Sequence, residues 1–113
     1  MSFTIKRGDT SPALRQRLVP SEETQNHGIT GYNAVKFFMR DASTYELIVS
    51  ATDDDNITII DAEDGAVEYQ WQPGDTSKSG IYEAEWEVTY FDNSVETFPN
   101  DGYVEIEILE DLG

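Results

Sequence analysis

The sequence predicts an all-β protein: a single domain over residues 1–113, folded as an antiparallel sandwich of about seven to nine short strands. Three observations carry this. Apolar residues recur at every second position, most clearly in "GIYEAEWEVTY" (80–90), where Tyr82, Ala84, Trp86, Val88 and Tyr90 alternate with Glu83, Glu85, Glu87 and Thr89. That period belongs to a strand with one buried face. Turn residues punctuate the chain at intervals of roughly 8–12 residues, as in all-β sandwiches. No segment carries an apolar stripe at helical spacing for more than two turns.

Each element follows from the same pattern. "SFTIK" (2–6) turns Phe3 and Ile5 inward, and "GDTSP" (8–12) is a turn in which Pro12 ends strand pairing. "ALRQRLV" (13–19) places Leu14 and Leu18 on one face and Arg15 and Arg17 on the other. Residues 20–33 hold proline, two glycines and two asparagines and read as a loop. "AVKFFMR" (34–40) sends Val35, Phe37 and Met39 inward and Lys36 and Arg40 outward; "YELIVSA" (45–51) follows a short turn. "DDDN" (53–56) turns into "ITII" (57–60), and "DAEDG" (61–65) is a hairpin turn whose Asp-Gly supplies the left-handed backbone. "AVEYQW" (66–71) points Val67, Tyr69 and Trp71 inward, and residues 72–80 cross one end of the fold. After the long strand come "FDNS" (91–94), "VETF" (95–98), "PNDG" (99–102) and "YVEIEIL" (103–109), the last with Val104, Ile106 and Ile108 opposed to Glu105 and Glu107.

A chain of 113 residues with 38% hydrophobic content supplies a core without staples, and it has no cysteine for disulfides or thiolate metal sites. The N-terminus has no signal-peptide pattern, and no window reaches the roughly 20 apolar residues of a membrane span; the expectation is synthesis and assembly in the cytoplasm. Charge is the outlying property: 23 acids against seven bases give −16. Such a field repels nucleic acid and anionic membranes. Interleaving of the acids with aromatic and β-branched residues argues against disorder, whose acids come in blocks with few aromatics. The imbalance suits a protein of molar salt, where the Debye length is about 3 Å and neighbouring carboxylates scarcely interact; an acidic mesophilic protein is the alternative. Four of the seven bases, Lys6, Arg7, Arg15 and Arg17, fall in the first 17 residues against Asp9 alone.

Gly80 stands two residues before Tyr82, at the start of a long strand after a loop. This resembles the tyrosine corner of immunoglobulin-like domains, whose tyrosine hydroxyl bonds back to the preceding loop. In an immunoglobulin-like sandwich the last two long strands are neighbours. Glu83, Glu85 and Glu87 would then share an outward face with Glu105 and Glu107, a carboxylate ladder that needs salt or cations beside it. Arg15 and Arg17, on a strand expected to pair with the last one, are the nearest cations by this reading.

Catalysis finds no support in the motifs: there is no G-x-S-x-G elbow, P-loop, H-E-x-x-H or cysteine nucleophile. His27, the sole histidine, lies in a Gly/Asn-rich loop and reads as a surface residue. Acid–base work by paired carboxyls needs unlike environments, and strand-face glutamates share one. The expectation is no enzyme, no catalytic residue and no cofactor. Asp53, Asp54 and Asp55 offer hard oxygen ligands for Ca²⁺, but not at the D-x-[DN]-x-[DN]-G spacing, and a solvated turn is the better reading. Tyr32, Phe38 and Tyr45 are either peripheral core or an exposed patch for a sugar or a partner.

"FTIKRGDTSPALRQRL", "VKFFMRD", "IDAEDGAVEYQWQPGDTSKSGIYEAEWEVTYFDNSVETFP" and "GYVEIEI", in that order, span nearly the whole chain. Together they resemble the small immunoglobulin-like domains of tailed viruses, such as the N-terminal domain of siphophage baseplate upper proteins. The resemblance implies a non-enzymatic module that anchors distal parts to the tail, multi-copy or in a ring with other virion proteins. Those relatives continue into linker and helical parts absent here, so it implies anchoring more than receptor contact. With the charge, the expected protein is a structural component of a tailed virus of a salt-loving host such as an archaeon. Lys6, Arg7, Arg15 and Arg17 are its candidate docking surface, and Glu83, Glu85, Glu87, Glu105 and Glu107 its hydrated acidic face. Pairing of those four bases with the glutamate ladder is the competing expectation. Rival readings are a capsid decoration or head–tail junction protein, a cellular immunoglobulin-like adhesion or carbohydrate-binding module, and an acidic mimic of nucleic acid.

Overall fold

A computed structural model describes residues 2–20, 28–53 and 55–113. Nine strands follow one another with no helix among the described residues: β1 (Ser2–Lys6), β2 (Leu14–Arg17), β3 (Tyr32–Asp41), β4 (Leu47–Thr52), β5 (Ile57–Asp61), β6 (Ala66–Tyr69), β7 (Gly80–Tyr90), β8 (Val95–Phe98) and β9 (Val104–Leu109). The larger sheet runs β1-β9-β7-β3-β4, with β8 also on β7; the smaller runs β2-β6-β5. Their inner faces meet in a sandwich.

Alternation decides which side chains go in. Val35, Phe37 and Met39 of β3 and Trp86 and Val88 of β7 are wholly buried, as are Val67 and Ile106. Phe37 is the centre of an aromatic cluster, with ring centroids 4.7 Å from Tyr69 and 4.7 Å from Trp86, and Trp71 set edge-on at 6.3 Å. The long loop before β3 also contributes to the core: Ile29 is fully buried, its N–H donating to Ala62 O.

β8 and β9 lie end to end along one side of β7. Phe98 stands opposite Trp86 and Val104 opposite Ala84, so residues 99–103 form an excursion against Glu85 alone. The connection after β6 is tied to the strands it joins. The Tyr69 hydroxyl donates to Asp75 at 2.6 Å, the Thr76 hydroxyl to Asp9 O at 2.8 Å and the Tyr82 hydroxyl to Lys78 O at 2.7 Å. The last bond is the backward reach expected of Tyr82 from its place after Gly80.

Two expectations are corrected. The sandwich is not wholly antiparallel: β1 runs parallel to β9, with Phe3 opposite Ile106 and Ile5 opposite Ile108. The strand carrying Arg15 and Arg17 does not pair with the last strand. β2 joins β6 in the other sheet, Arg15 opposite Glu68 and Arg17 opposite Ala66. The turn at residues 8–12 lets the chain leave the large sheet after β1, so β2 reaches the small one.

Gln16 is the one polar side chain among the inward positions of β2, and its Oε1 accepts the buried Trp86 indole N–H at 3.0 Å. Gln16→Leu leaves that donor unpaired and is expected to cost about 1–3 kcal/mol. Adding Trp86→Phe should restore part of the loss, because both polar partners are then gone. Urea unfolding of the two variants checks this; equal stability of Gln16→Leu and wild type overturns it.

Candidate functional site

The broad outer face of the large sheet collects most of the chain's surface chemistry. Glu83, Glu85 and Glu87 project from β7, and Glu105 and Glu107 from β9; Glu83 stands directly opposite Glu105, and Glu107 opposite Ile81. The five carboxylates expected to share a face therefore do so. On the other flank of β7, Lys36 of β3 lies opposite Glu87, Phe38 opposite Glu85 and Arg40 opposite Glu83. The cations beside the ladder are thus Lys36 and Arg40 on the β3 side and Lys6 on the β1 side, where it stands opposite Leu109, and not Arg15 and Arg17.

Arg40 is the hub of this face. Its Nε donates to Glu83 Oε1 at 2.8 Å and its Nη2 to the Tyr103 hydroxyl at 3.2 Å. The guanidinium carbon lies 4.4 Å from the Tyr45 ring centroid and 5.0 Å from that of Tyr103. Cation–π contact of this kind contributes about 0.5–1 kcal/mol at exposed sites. Phe38, Arg40, Leu47, Glu83, Glu85 and Tyr103 enclose an open hollow of about 340 Å³. Tyr45 is 66% exposed, Leu47 56% and Tyr103 44%. An apolar rim thus surrounds one ion pair, with carboxylates on its far side.

The β3–β4 hairpin positions this rim. Asp41 Oδ1 accepts the Ser43 hydroxyl at 2.7 Å and the backbone N–H groups of Ser43 and Thr44 at 2.8 and 3.2 Å. Tyr45 N donates to Asp41 O, and Tyr45 takes a left-handed backbone, φ 65°. The Ser43 hydroxyl first, then the two N–H groups, hold the Asp41 carboxyl below the usual carboxylate range; Lys78 at 3.8 Å adds a weaker attraction and burial opposes it. Because the folded state favours the ionised form, this stabilisation is present above the ordinary Asp range and is lost as pH falls through the depressed value. Asp41→Asn is expected to melt below wild type at neutral pH, with the gap closing below about pH 4. A gap that stays constant with pH would show that the carboxylate charge is not what holds the hairpin.

The four candidate docking bases do not share one strand. Lys6 ends β1 and is exposed; Arg7, beside it, donates through Nε and Nη2 to Asp111 Oδ1 at 3.0 and 2.7 Å. Arg15 pairs with Glu68 at 2.8 Å and Arg17 with Asp64 at 3.0 Å. All three arginines have acidic partners within the chain, none of them in the glutamate ladder. These pairs are open, the Arg15 side chain being 73% exposed, and pairs of that kind contribute little stability.

Of the Ca²⁺ candidates, Asp54 lies outside the described residues; Asp55 Oδ2 accepts the Thr52 hydroxyl at 3.3 Å. Among the described residues no group of three or more acidic or histidine side chains is placed to hold a metal. His27 is also outside them. The three aromatics separate: Tyr32 packs against the core, whereas Phe38 and Tyr45 belong to the outer face. Sequence reasoning placed Arg40 outward but did not connect it to Tyr45 and Tyr103. No local pattern joins those two tyrosines, which meet only through the β3–β7–β9 pairing.

Tyr90, its hydroxyl 3.2 Å from Glu96, is pushed up to about 12 by burial first and then by that carboxylate, which leaves it a hydrogen-bond donor at neutral pH. Compared with family models, curated proteins and solved structures, the chain has no significant match.

Proposed function

We propose that this chain is a non-enzymatic structural protein of a tailed virus, an anchoring or adaptor subunit of the tail or baseplate. It is built on an immunoglobulin-like sandwich and adapted to high salt. The observation that carries the reading is the strand order, β1-β9-β7-β3-β4 over β2-β6-β5, together with the Tyr82 hydroxyl bonded back to Lys78 O. The ordered segments that resemble virion domains occupy these same strands. The acidic face of β7 and β9 supports the high-salt half of the proposal, since carboxylates in a row keep a surface hydrated in brine.

In this reading Lys6, Arg7, Arg15 and Arg17 are the contacts to an acidic neighbouring subunit. The ion pairs of the three arginines are exposed enough to exchange an internal carboxylate for an external one. Reversing all four to Glu is expected to abolish incorporation into particles while the isolated variant keeps its β-sheet circular dichroism. Incorporation at the wild-type level abandons the docking role. Immunogold microscopy on particles and cells of the source culture tests the function itself. Gold on tailed particles is the expected result, and its position at tip, tube, neck or shell separates tail anchoring from a head–tail or capsid role. Label confined to cell envelopes overturns the viral reading.

A cellular adhesion or carbohydrate-binding module is the second reading, favoured by the exposed Tyr45 and Tyr103 rings around Arg40. Binding of a glycan that is lost in Tyr45→Ala would promote it.

A further inference from the structure

Across the outer face of the large sheet, β3 sets one side chain against each glutamate of β7: Arg40 faces Glu83, Lys36 faces Glu87, and Phe38 faces Glu85. Glu85 is thus the carboxylate of this row that has no cation opposite it. On its other flank β8 ends at Phe98, opposite Trp86, and β9 begins at Val104, opposite Ala84, so no strand residue stands beside it there either. Its carboxylate makes no hydrogen bond or ion pair with any described residue. Yet it is half-buried, and it lines the hollow of about 340 Å³ together with Phe38, Leu47 and Tyr103. Arg40 and Glu83, on the same wall, cancel each other at 2.8 Å. One uncompensated negative charge therefore remains in a recess with aromatic and aliphatic sides. A charge partly withdrawn from water in this way attracts a counter-charge more strongly than one on an open surface.

We infer that this hollow receives an arginine side chain of a partner protein, its guanidinium pairing with Glu85 and lying against the rings of Phe38 and Tyr103. Charge complementarity selects a cation over a neutral or anionic group. The face itself selects arginine over lysine, because it already holds one guanidinium by the same means. Arg40 donates to Glu83 while its guanidinium carbon lies 4.4 and 5.0 Å from the Tyr45 and Tyr103 ring centroids. Lys36, by contrast, forms no ion pair with Glu87 or any other described residue. A planar guanidinium stacks on a ring and meets a carboxylate through two parallel N–H groups, whereas an ammonium has neither the plane nor the fork. The recess is also longer than one side chain. A second hollow of about 200 Å³, lined by Ala42, Ile81 and Glu105, adjoins it across Glu83 and Tyr103, which line both. Leu47 at one end and Ile81 at the other, 56% and 43% exposed, offer apolar contact to the residues flanking the arginine. That extension marks the occupant as a peptide segment and not a small cation. The inference does not rest on the viral reading; a cellular module would carry the same hollow.

Nuclear magnetic resonance titration of the whole chain with acetyl-Leu-Arg-Leu-amide tests this. It is done in molar salt, where a Debye length of about 3 Å removes general attraction to the acidic body. Saturable shifts are expected at the backbone amides of Phe38, Glu85 and Tyr103. Glu85→Gln, with unchanged circular dichroism, is expected to weaken the peptide about tenfold, equivalent to about 1.4 kcal/mol. Glu63→Gln removes the same charge from the exposed β5–β6 turn and is expected to leave the affinity unchanged. The lysine counterpart of the peptide, and argininamide alone, are each expected to bind more weakly by at least about fivefold. Absence of saturable shifts overturns the inference, and so does an equal loss in the two glutamate variants, which would reduce the effect to net charge. Equal binding of the lysine peptide overturns the choice of arginine. Equal binding of argininamide assigns the hollow to a small cation in place of a protein. A neutral oligosaccharide, maltohexaose, that shifts the same amides where the peptide does not would assign the hollow to a glycan and equally overturn the inference.

Discussion

Gly65→Ala is expected to destabilise the fold by about 2–5 kcal/mol, adding a strained left-handed residue to the loss of a buried backbone contact. Gly65 closes the β5–β6 hairpin with φ +77°, and a Cβ there would stand 2.2 Å from Leu18 O. That neighbour is backbone, so it cannot swing aside as a flexible side chain would. Leu18 is itself tied to the glycine, its N–H donating to Gly65 O at 2.8 Å, while Gly65 N donates to Ala62 O. Separating the two chain segments therefore breaks a hydrogen bond and displaces Leu18, a core side chain 1% exposed. Gly74 is the control: its φ is +95°, but a methyl group at its Cα would meet nothing within 4 Å. Gly74→Ala should show the conformational cost alone, about 1 kcal/mol. Urea unfolding of the two variants decides the matter, and equal losses would mean that close approach of Leu18 contributes nothing.

Salt is expected to stabilise the wild-type protein by about 1–3 kcal/mol between 0.1 and 1 M, as the Debye length contracts from about 10 to about 3 Å. Glu83 directly faces Glu105, and the rest of the ladder adds diagonal repulsions. Arg40 neutralises only the β3 side of Glu83. Glu105→Gln should therefore raise the unfolding midpoint in dilute buffer and lose that advantage in molar salt. That cross-over separates screening of the ladder from the general strengthening of apolar burial by salt. Midpoints insensitive to both salt and substitution would mean that Lys36 and Arg40 already compensate the face, and would remove the high-salt argument from the proposed function.

Local periodicity made most of the fold readable. The strand expected at 80–90 is β7 at the same bounds, and the inward residues of β3, β6 and β9 are those the alternation picked out. These are long or strongly alternating strands whose burial depends on nothing but their own pattern. Partners were harder, because pairing is non-local. Arg15 and Arg17 alternate correctly on β2, but nothing within that segment states which sheet the strand enters, and its acidic partners Glu68 and Asp64 come from a distant hairpin. Gln16 stands between two arginines in the sequence and is a core acceptor, since only the facing sheet supplies Trp86. Ile29 was hidden in a loop composition, although it fills the core beneath the β5–β6 turn. The outer face was legible as a row of carboxylates. Its Arg40 cluster was not, because it needs the cross-strand register and the left-handed Tyr45.

The excursion at residues 99–103 has a practical meaning for anyone who wishes to decorate this protein. β8 and β9 each pair with β7 on their own terms, and the segment between them has no register partner on β7, its contact with the outer face being made by Tyr103 at its end. Its length is therefore uncoupled from the inside–outside assignment of every residue that follows, which in an ordinary hairpin strand a single inserted residue would invert. Asp101 and Gly102, both exposed, mark the place where an epitope or a fluorescent tag can be spliced in while the sandwich closes around it unchanged.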